Sequence, residues 1–120
     1  MRTKESLKKS IFDLLLLSLL TKEDLYGYRL AQIFEDLTNG DIVITTGSMY
    51  PTLYKMEENG YISKYQLHGE NGKERTYYHI EQTGIEYLRN EVASYYRTAN
   101  AIDKVLKYGM EEGLDGHSDQ

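Results

Sequence analysis

A chain of 120 residues, 40% hydrophobic and 28% charged, with one proline and ten glycines, has the composition of a globular protein with a single core and leaves no room for a long disordered linker. The absence of cysteine excludes disulfides, zinc fingers and thiolate metal centres, and it suits a reducing, cytoplasmic setting. A net charge of −5 runs against nucleic-acid binding, which draws on basic side chains. Glu111, Glu112, Asp115 and Asp119, however, fall in a closing stretch without a cation, so the first 110 residues set 14 cations against 15 carboxylates and can still carry one basic face.

The first predicted helix covers roughly residues 4–20. From Ile11 to Leu20 it is apolar almost all round, which places it centrally among other helices. Arg2, Lys4, Lys8 and Lys9 before that run mimic a secretory signal, but Asp13 interrupts it and no small-residue cleavage site follows. The run is also shorter than the roughly 18 apolar residues of a membrane span, so a buried helix and no membrane partner are expected. Thr21 to Asp24 supply a break and a cap. Tyr26, Leu30, Ile33, Phe34 and Leu37 then share one face of a second helix ending near Thr38-Asn39-Gly40. Asp41 to Thr45, with Ile42 and Ile44 alternating, predicts a short strand.

A third helix is expected between about Thr46 and Asn59, with Met49, Leu53 and Met56 inward and Gly60 as a left-handed C-terminal cap. Proline is comfortable only in a first helical turn. Pro51 therefore favours Ser48 as N-cap, a distorted start nearer Thr46 being the alternative. Tyr61 to His68 and Lys73 to Ile80, rich in aromatic and β-branched residues around Gly69-Glu70-Asn71-Gly72, predict a β-hairpin with a flexible polar tip. The last helix runs from near Gln82 to about Tyr108. Ile85, Leu88, Val92, Tyr95, Ala99, Ile102 and Leu106 recur in it at alternating spacings of three and four, a heptad seam. Such a helix reaches roughly 40 Å, longer than a small winged domain, so much of the seam requires a second copy to cover it.

The fold class is accordingly mainly α with a small β-hairpin. It comprises a winged helix-turn-helix domain over residues 1–80, a C-terminal dimerisation helix over 81–108 and an acidic disordered tail over 109–120. In that architecture the third helix enters the DNA major groove with its N-terminal residues nearest the bases. With Leu53 inward, Ser48, Pro51, Thr52 and Lys55 point outward, and Tyr50 and Tyr54 flank them. These side chains suit phosphate and base contacts and equally a solvated face. In the wing, Lys73 and Arg75 are placed to meet a phosphate or the minor groove, with Glu70 and Glu74 diluting the charge. His68, His79 and His117 are dispersed, Glu57 and Glu58 form an ordinary helix end, and no glycine-rich loop joins a strand to a helix. No catalytic residue, metal or cofactor is predicted.

Leu25-Tyr26-Gly27-Tyr28, Gly47-Ser48-Met49-Tyr50-Pro51-Thr52-Leu53 leading into Met56-Glu57-Glu58-Asn59-Gly60-Tyr61-Ile62, and Lys73-Glu74-Arg75-Thr76-Tyr77-Tyr78 with Gly84 resemble the PadR family of bacterial transcription regulators. The similarity covers about residues 10–106 and is greatest to short members with one C-terminal dimerisation helix. It implies a homodimer in which that helix packs on the partner's first helix, bringing Ile11 and Leu15 to the interface beside the seam. The symmetry of such a dimer adds an inverted-repeat operator in double-stranded DNA, with half-sites about one helical turn apart or a multiple of it. For some relatives the resemblance implies a planar aromatic effector held between the C-terminal helices, where Tyr95 and Tyr96 fall; packing of the interface is the other role for both tyrosines. Two positions depart from the family pattern. Glu81 stands where threonine usually opens the last helix, and Glu74 dilutes the wing. The resulting expectation is an effector-responsive homodimeric repressor and not an enzyme. The alternative is a winged-helix module for protein contacts or ligand binding without DNA binding, which the acidic net charge favours.

Overall fold

The computed structural model describes residues 4–111, with side chains from Ile11 onward. The side chains of Lys4, Lys8 and Lys9, and residues 112–120 with most of the expected acidic tail and His117, lie outside the described residues. Four helices and three strands follow in the order α1 (Lys4–Leu20), β1 (Leu25–Tyr26), α2 (Gly27–Leu37), α3 (Thr46–Glu58), β2 (Ile62–His68), β3 (Glu74–Ile80) and α4 (Gln82–Gly109). This is the winged helix-turn-helix arrangement with a long last helix. Among the described residues no helix is long and apolar enough to cross a membrane.

The chain divides into two compact units, one ending at Leu88 and one starting at Arg89. The core of the first is built by α1, whose Leu16 and Leu17 are completely buried, with Leu14 and Leu20 beside them. Leu30 and Phe34 of α2, Met49, Leu53 and Met56 of α3, Ile62, Tyr78 and Ile80 of the sheet and Leu88 of α4 complete it. The expected inward stripe of α3 is thus the buried one, while of the stripe expected for α2 Leu30 and Phe34 are buried, Ile33 is half-buried, Leu37 is exposed and Tyr26 lies in β1. The opposite side of α1 is covered less well: Ile11 is exposed and Leu15 half-buried. The second unit is the rest of α4, with Ile102, Val105, Leu106 and Tyr108 exposed.

The glycine-capped end of α3 forms as expected, and α2 ends where the Thr38-Asn39-Gly40 run placed it. After α3, the amide of Gly60 donates to Glu57 O and that of Tyr61 to Met56 O, both at 3.0 Å, with Gly60 at φ 79°. This is the paired closure that a left-handed residue allows. After α2, Asn39 takes the left-handed position at φ 52°.

Three local expectations are corrected. Asp41 to Thr45 is not a strand. Ile44 is buried in the core, which explains the alternation, but the Ile42 amide donates to Thr38 Oγ1 at 3.0 Å and so is used within the α2–α3 connection. The third strand is instead β1, the two residues Leu25 and Tyr26, paired antiparallel with Tyr78 and Tyr77 of β3. The sheet order is therefore β1-β3-β2, and α2 begins at Gly27 without a side-chain cap. Finally, α3 is capped by Thr45, whose Oγ1 accepts from the Ser48 amide at 3.2 Å. Pro51 thus lies inside the helix. The amide that proline lacks would have met the carbonyl of Gly47, and Gly47 is exposed, so water can serve that carbonyl.

The wing pairs Ile62 with Ile80 through to His68 with Glu74, and the tip closes through the Gly69 amide donating to Lys73 O at 2.7 Å. Glu81, the residue before α4, replaces a threonine cap by a different tie. Its carboxylate accepts from Ser63 Oγ at 2.6 Å, and its amide donates to Tyr61 O at 2.9 Å.

Candidate nucleic-acid interface

Along α3, Ser48, Tyr50, Pro51, Tyr54 and Lys55 are exposed and Thr52 is half-buried. The Thr52 hydroxyl donates to Ser48 O at 2.8 Å, so its proton is committed to the helix and its oxygen is left to accept. Tyr50, 45% exposed, extends from α3 to the start of α2. A Cβ on Gly27 would overlap the hydroxyl end of the Tyr50 ring, so in this arrangement the ring tip lies close against the Gly27 backbone.

The wing brings cations to the same side. Strand alternation puts Arg75 and Glu74 on opposite faces of β3, and the Glu74 carboxylate lies 3.5 Å from His68 Nε2. The dilution of charge apparent in the sequence is therefore reduced in space. Arg75 lies over the ring of Tyr26, 4.5 Å from its centroid. Among the described residues Lys55, Lys73 and Arg75 form no ion pair, whereas Lys64 is 3.4 Å from Glu57. A cleft of about 510 Å³ is lined by Tyr26, Tyr28, Tyr50, Lys73 and Arg75 among others, with no carboxylate in its wall. Of the predicted contact residues the fold thus gathers Tyr50, Lys73 and Arg75 at one place. Ser48, Pro51, Thr52 and Lys55 lie outside that wall, along α3.

Tyr26 and Tyr28 were not among the expected contacts, and their part in the cleft follows from β1 pairing beside β3. Nor did the sequence indicate the cluster behind it. The Tyr65 hydroxyl donates to Asp24 Oδ2 at 2.6 Å, and His79 Nδ1 lies 2.8 Å from Asp24 Oδ1. The hydrogen bond to Asp24 is the main cause that pushes Tyr65 up to about 12. It also raises the His79 imidazole, helped by the charges of Asp24 and Glu81 against some burial. Burial pushes the Asp24 carboxyl up, but the bonds from Tyr65 and His79 outweigh it and hold the group below its ordinary value.

A pH dependence follows. The raised imidazole stabilises the fold fully below about pH 6.5 and loses that contribution as pH rises through its folded value. The depressed carboxylate contributes above about pH 4 and loses its contribution as pH falls through its own folded value. The stability gap between wild type and His79→Ala is therefore expected to be widest near pH 5–6 and to shrink towards pH 8. It should stay below about 1 kcal/mol for so exposed a pair. Urea titrations at several pH values measure it.

In the C-terminal unit Tyr95 and Tyr96 are exposed and touch edge to face, their centroids 5.2 Å apart. Among the described residues no group of three carboxylate or histidine side chains is placed to hold a metal ion.

Residues 16–90 match the model of the transcriptional regulator PadR-like family. The chain belongs to that family. Among solved structures, a transcriptional regulator from Clostridium thermocellum is 33% identical, with a TM-score of 0.76 over 82% of this chain and 96% of that one. A PadR-like transcriptional regulator from Bacillus cereus is 26% identical, with a TM-score of 0.70 over 82% of this chain and 93% of the other. Bacillus subtilis PadR in complex with operator DNA shares the fold at 22% identity, with a TM-score of 0.63 over 68% of this chain and 46% of that one. The family match takes in α2, α3, the wing and the first turns of α4, so the surface described above belongs to the part by which the chain is a PadR-like regulator.

Proposed function

We propose that this PadR-like regulator is a cytoplasmic, homodimeric repressor that binds an inverted-repeat operator through α3 and the wing and acts by binding, not by catalysis. The observation that carries the reading is the set of ion-pair-free cations Lys55, Lys73 and Arg75 around the exposed hydroxyls of Ser48, Tyr50 and Tyr54. Cations without an ion pair among the described residues give up no such pair when they meet phosphate, and each releases counterions. The Bacillus subtilis relative solved on operator DNA supports the same use of the fold.

The expected test result is that Lys55→Ala and the double change Lys73→Ala with Arg75→Ala each weaken binding to duplex DNA taken from upstream of the gene. Each should also flatten the log–log salt slope by about 0.9 per lost phosphate contact, with unchanged circular dichroism. Anisotropy titrations at several salt concentrations read both quantities. Unchanged affinity and slope in both variants would remove these residues from the interface.

Homodimerisation rests on the seam of α4. Tyr95, Ile102 and Leu106 of that seam are exposed in one protomer, Val92 and Ala99 are half-buried, and Ile11 and Leu15 of α1 offer a second apolar strip. Ile85 and Leu88 start the seam inside the first unit, Leu88 already in its core. An effector site for planar aromatic compounds is placed on Tyr95 and Tyr96, whose rings would offer apolar faces and a hydroxyl at the rim. A ligand there would shift DNA affinity only by fitting one spacing of the two recognition helices better than another. Quenching of a planar dye by wild type, and its loss in Tyr95→Ala or Tyr96→Ala, is the expected result; equal quenching by all three proteins would contradict the site.

A further inference from the structure

The cleft at the base of the wing has features that one phosphodiester would use together. It is bounded by two cations, Lys73 and Arg75, and by four tyrosines, Tyr26, Tyr28, Tyr50 and Tyr78, with no carboxylate in its wall. A neighbouring hollow of about 350 Å³ at the hairpin tip shares Lys73 and Arg75, but Glu70 lines it, and a carboxylate opposes an anion there. The guanidinium is also directed. Its Cζ lies over the Tyr26 ring, 4.5 Å from the centroid, and a cation held on a ring face in this way keeps N–H donors for a further partner.

Tyr26 is itself held firmly. Its backbone pairs with Tyr77 in the β1–β3 ladder, and its ring meets Tyr77 edge-on at 5.4 Å. Tyr77 stacks on Tyr65 at 5.8 Å, which is anchored through its hydroxyl to Asp24. A run of three rings thus backs one guanidinium, at a point where a long flexible side chain would otherwise sample many rotamers.

We propose that this cleft is a backbone-phosphate subsite for duplex DNA, in which Arg75 is held towards the phosphate by Tyr26 acting as a positioning residue, with Tyr28 and Tyr50 as neutral donors. The inference rests on the DNA-binding reading and adds to it that Arg75 reads the backbone and does not enter the minor groove. Its contribution is accordingly independent of base sequence. Tyr28, 70% exposed, contributes a hydroxyl that has no hydrogen-bond partner among the described residues.

The test is a double-mutant cycle in the full chain, by anisotropy with duplex DNA from upstream of the gene and with a shuffled duplex of the same composition. Tyr26→Phe keeps the ring and is expected to bind as wild type. Tyr26→Leu is expected to weaken binding about two- to fivefold, equally on both duplexes, and to have no further effect in an Arg75→Ala background. A purely structural role for Tyr26 would instead persist in that background. Tyr28→Phe, which leaves the fold alone, should weaken binding on both duplexes without changing the salt slope, so the proposal stays testable even if Tyr26→Leu folds poorly.

Undiminished loss from Tyr26→Leu in the Arg75→Ala background, an Arg75→Ala effect confined to the specific duplex, or wild-type affinity in Tyr28→Phe would overturn the cleft while leaving the DNA-binding reading standing. Failure of the wild type to bind either duplex at low salt would overturn both.

Discussion

Glutamate in place of Ile102 is expected to abolish self-association of the full chain while leaving the first unit folded. Ile102 is 53% exposed and Leu106 58% exposed in a single protomer, so the apolar surface of this stretch is not consumed by the fold. In a two-fold interface every seam residue is buried twice. Each side chain of this size contributes about 1.5–3 kcal/mol when fully removed from water, and an unpaired carboxylate in its place carries a desolvation cost instead. Val92→Glu, nearer the first unit, is expected to do the same or to unfold the protein. Lys104→Glu, which lies off the seam, should leave the assembly unchanged. Light scattering at micromolar concentration separates these outcomes, and a monomeric wild type would contradict the dimer.

The second large effect is expected at Gly84, where alanine should lower stability by about 2 kcal/mol, within the range for overpacking a fixed site. The glycine lies in the first turn of α4, and a Cβ there would collide with the carbonyl oxygen of Tyr61. That carbonyl cannot readily withdraw. Its oxygen accepts from the Glu81 amide at 2.9 Å, the amide of the same residue closes α3 through Met56 O at 3.0 Å, and its ring stacks on Tyr87 at 4.3 Å. The gain of about 1 kcal/mol that alanine brings to a helix interior does not offset such a clash. Gly47 is the contrasting case. It is also helical, but a Cβ there would meet only Thr45 Oγ1 at 3.9 Å, so Gly47→Ala should leave the melting temperature unchanged or slightly raised. Thermal unfolding followed by circular dichroism compares the two, and equal effects would contradict the packing argument.

These cases also show where the fold was legible in the chain and where it was not. The length of α4, the inward stripe of α3 and the Gly60 cap are periodic or local signals, and they survive folding because the elements that carry them are long or self-contained. Leu25 and Tyr26 carry no period. Two residues can be a strand only because β3, some fifty positions later, offers an edge to them, and this pairing is what brings Tyr26 against Arg75. The Asp24 cluster is legible for the same reason only in three dimensions, its partners lying 41 and 55 positions away. Ile42 and Ile44 misled in the opposite sense, since their alternation reflects one buried side chain and not a ladder. Pro51 favoured the later of two possible helix starts, and the earlier one forms because Thr45 caps it and the Gly47 carbonyl left without an amide is exposed.

The measurement that bears most directly on the central claim is the affinity of the wild-type protein for duplex DNA from upstream of its gene, followed by anisotropy from about 50 to about 200 mM salt. A dimer presenting Lys55, Lys73 and Arg75 twice is predicted to bind with a log–log slope approaching about −5 and to prefer that duplex over a shuffled one. Binding indifferent to salt, or no binding at the lowest salt, would contradict the account.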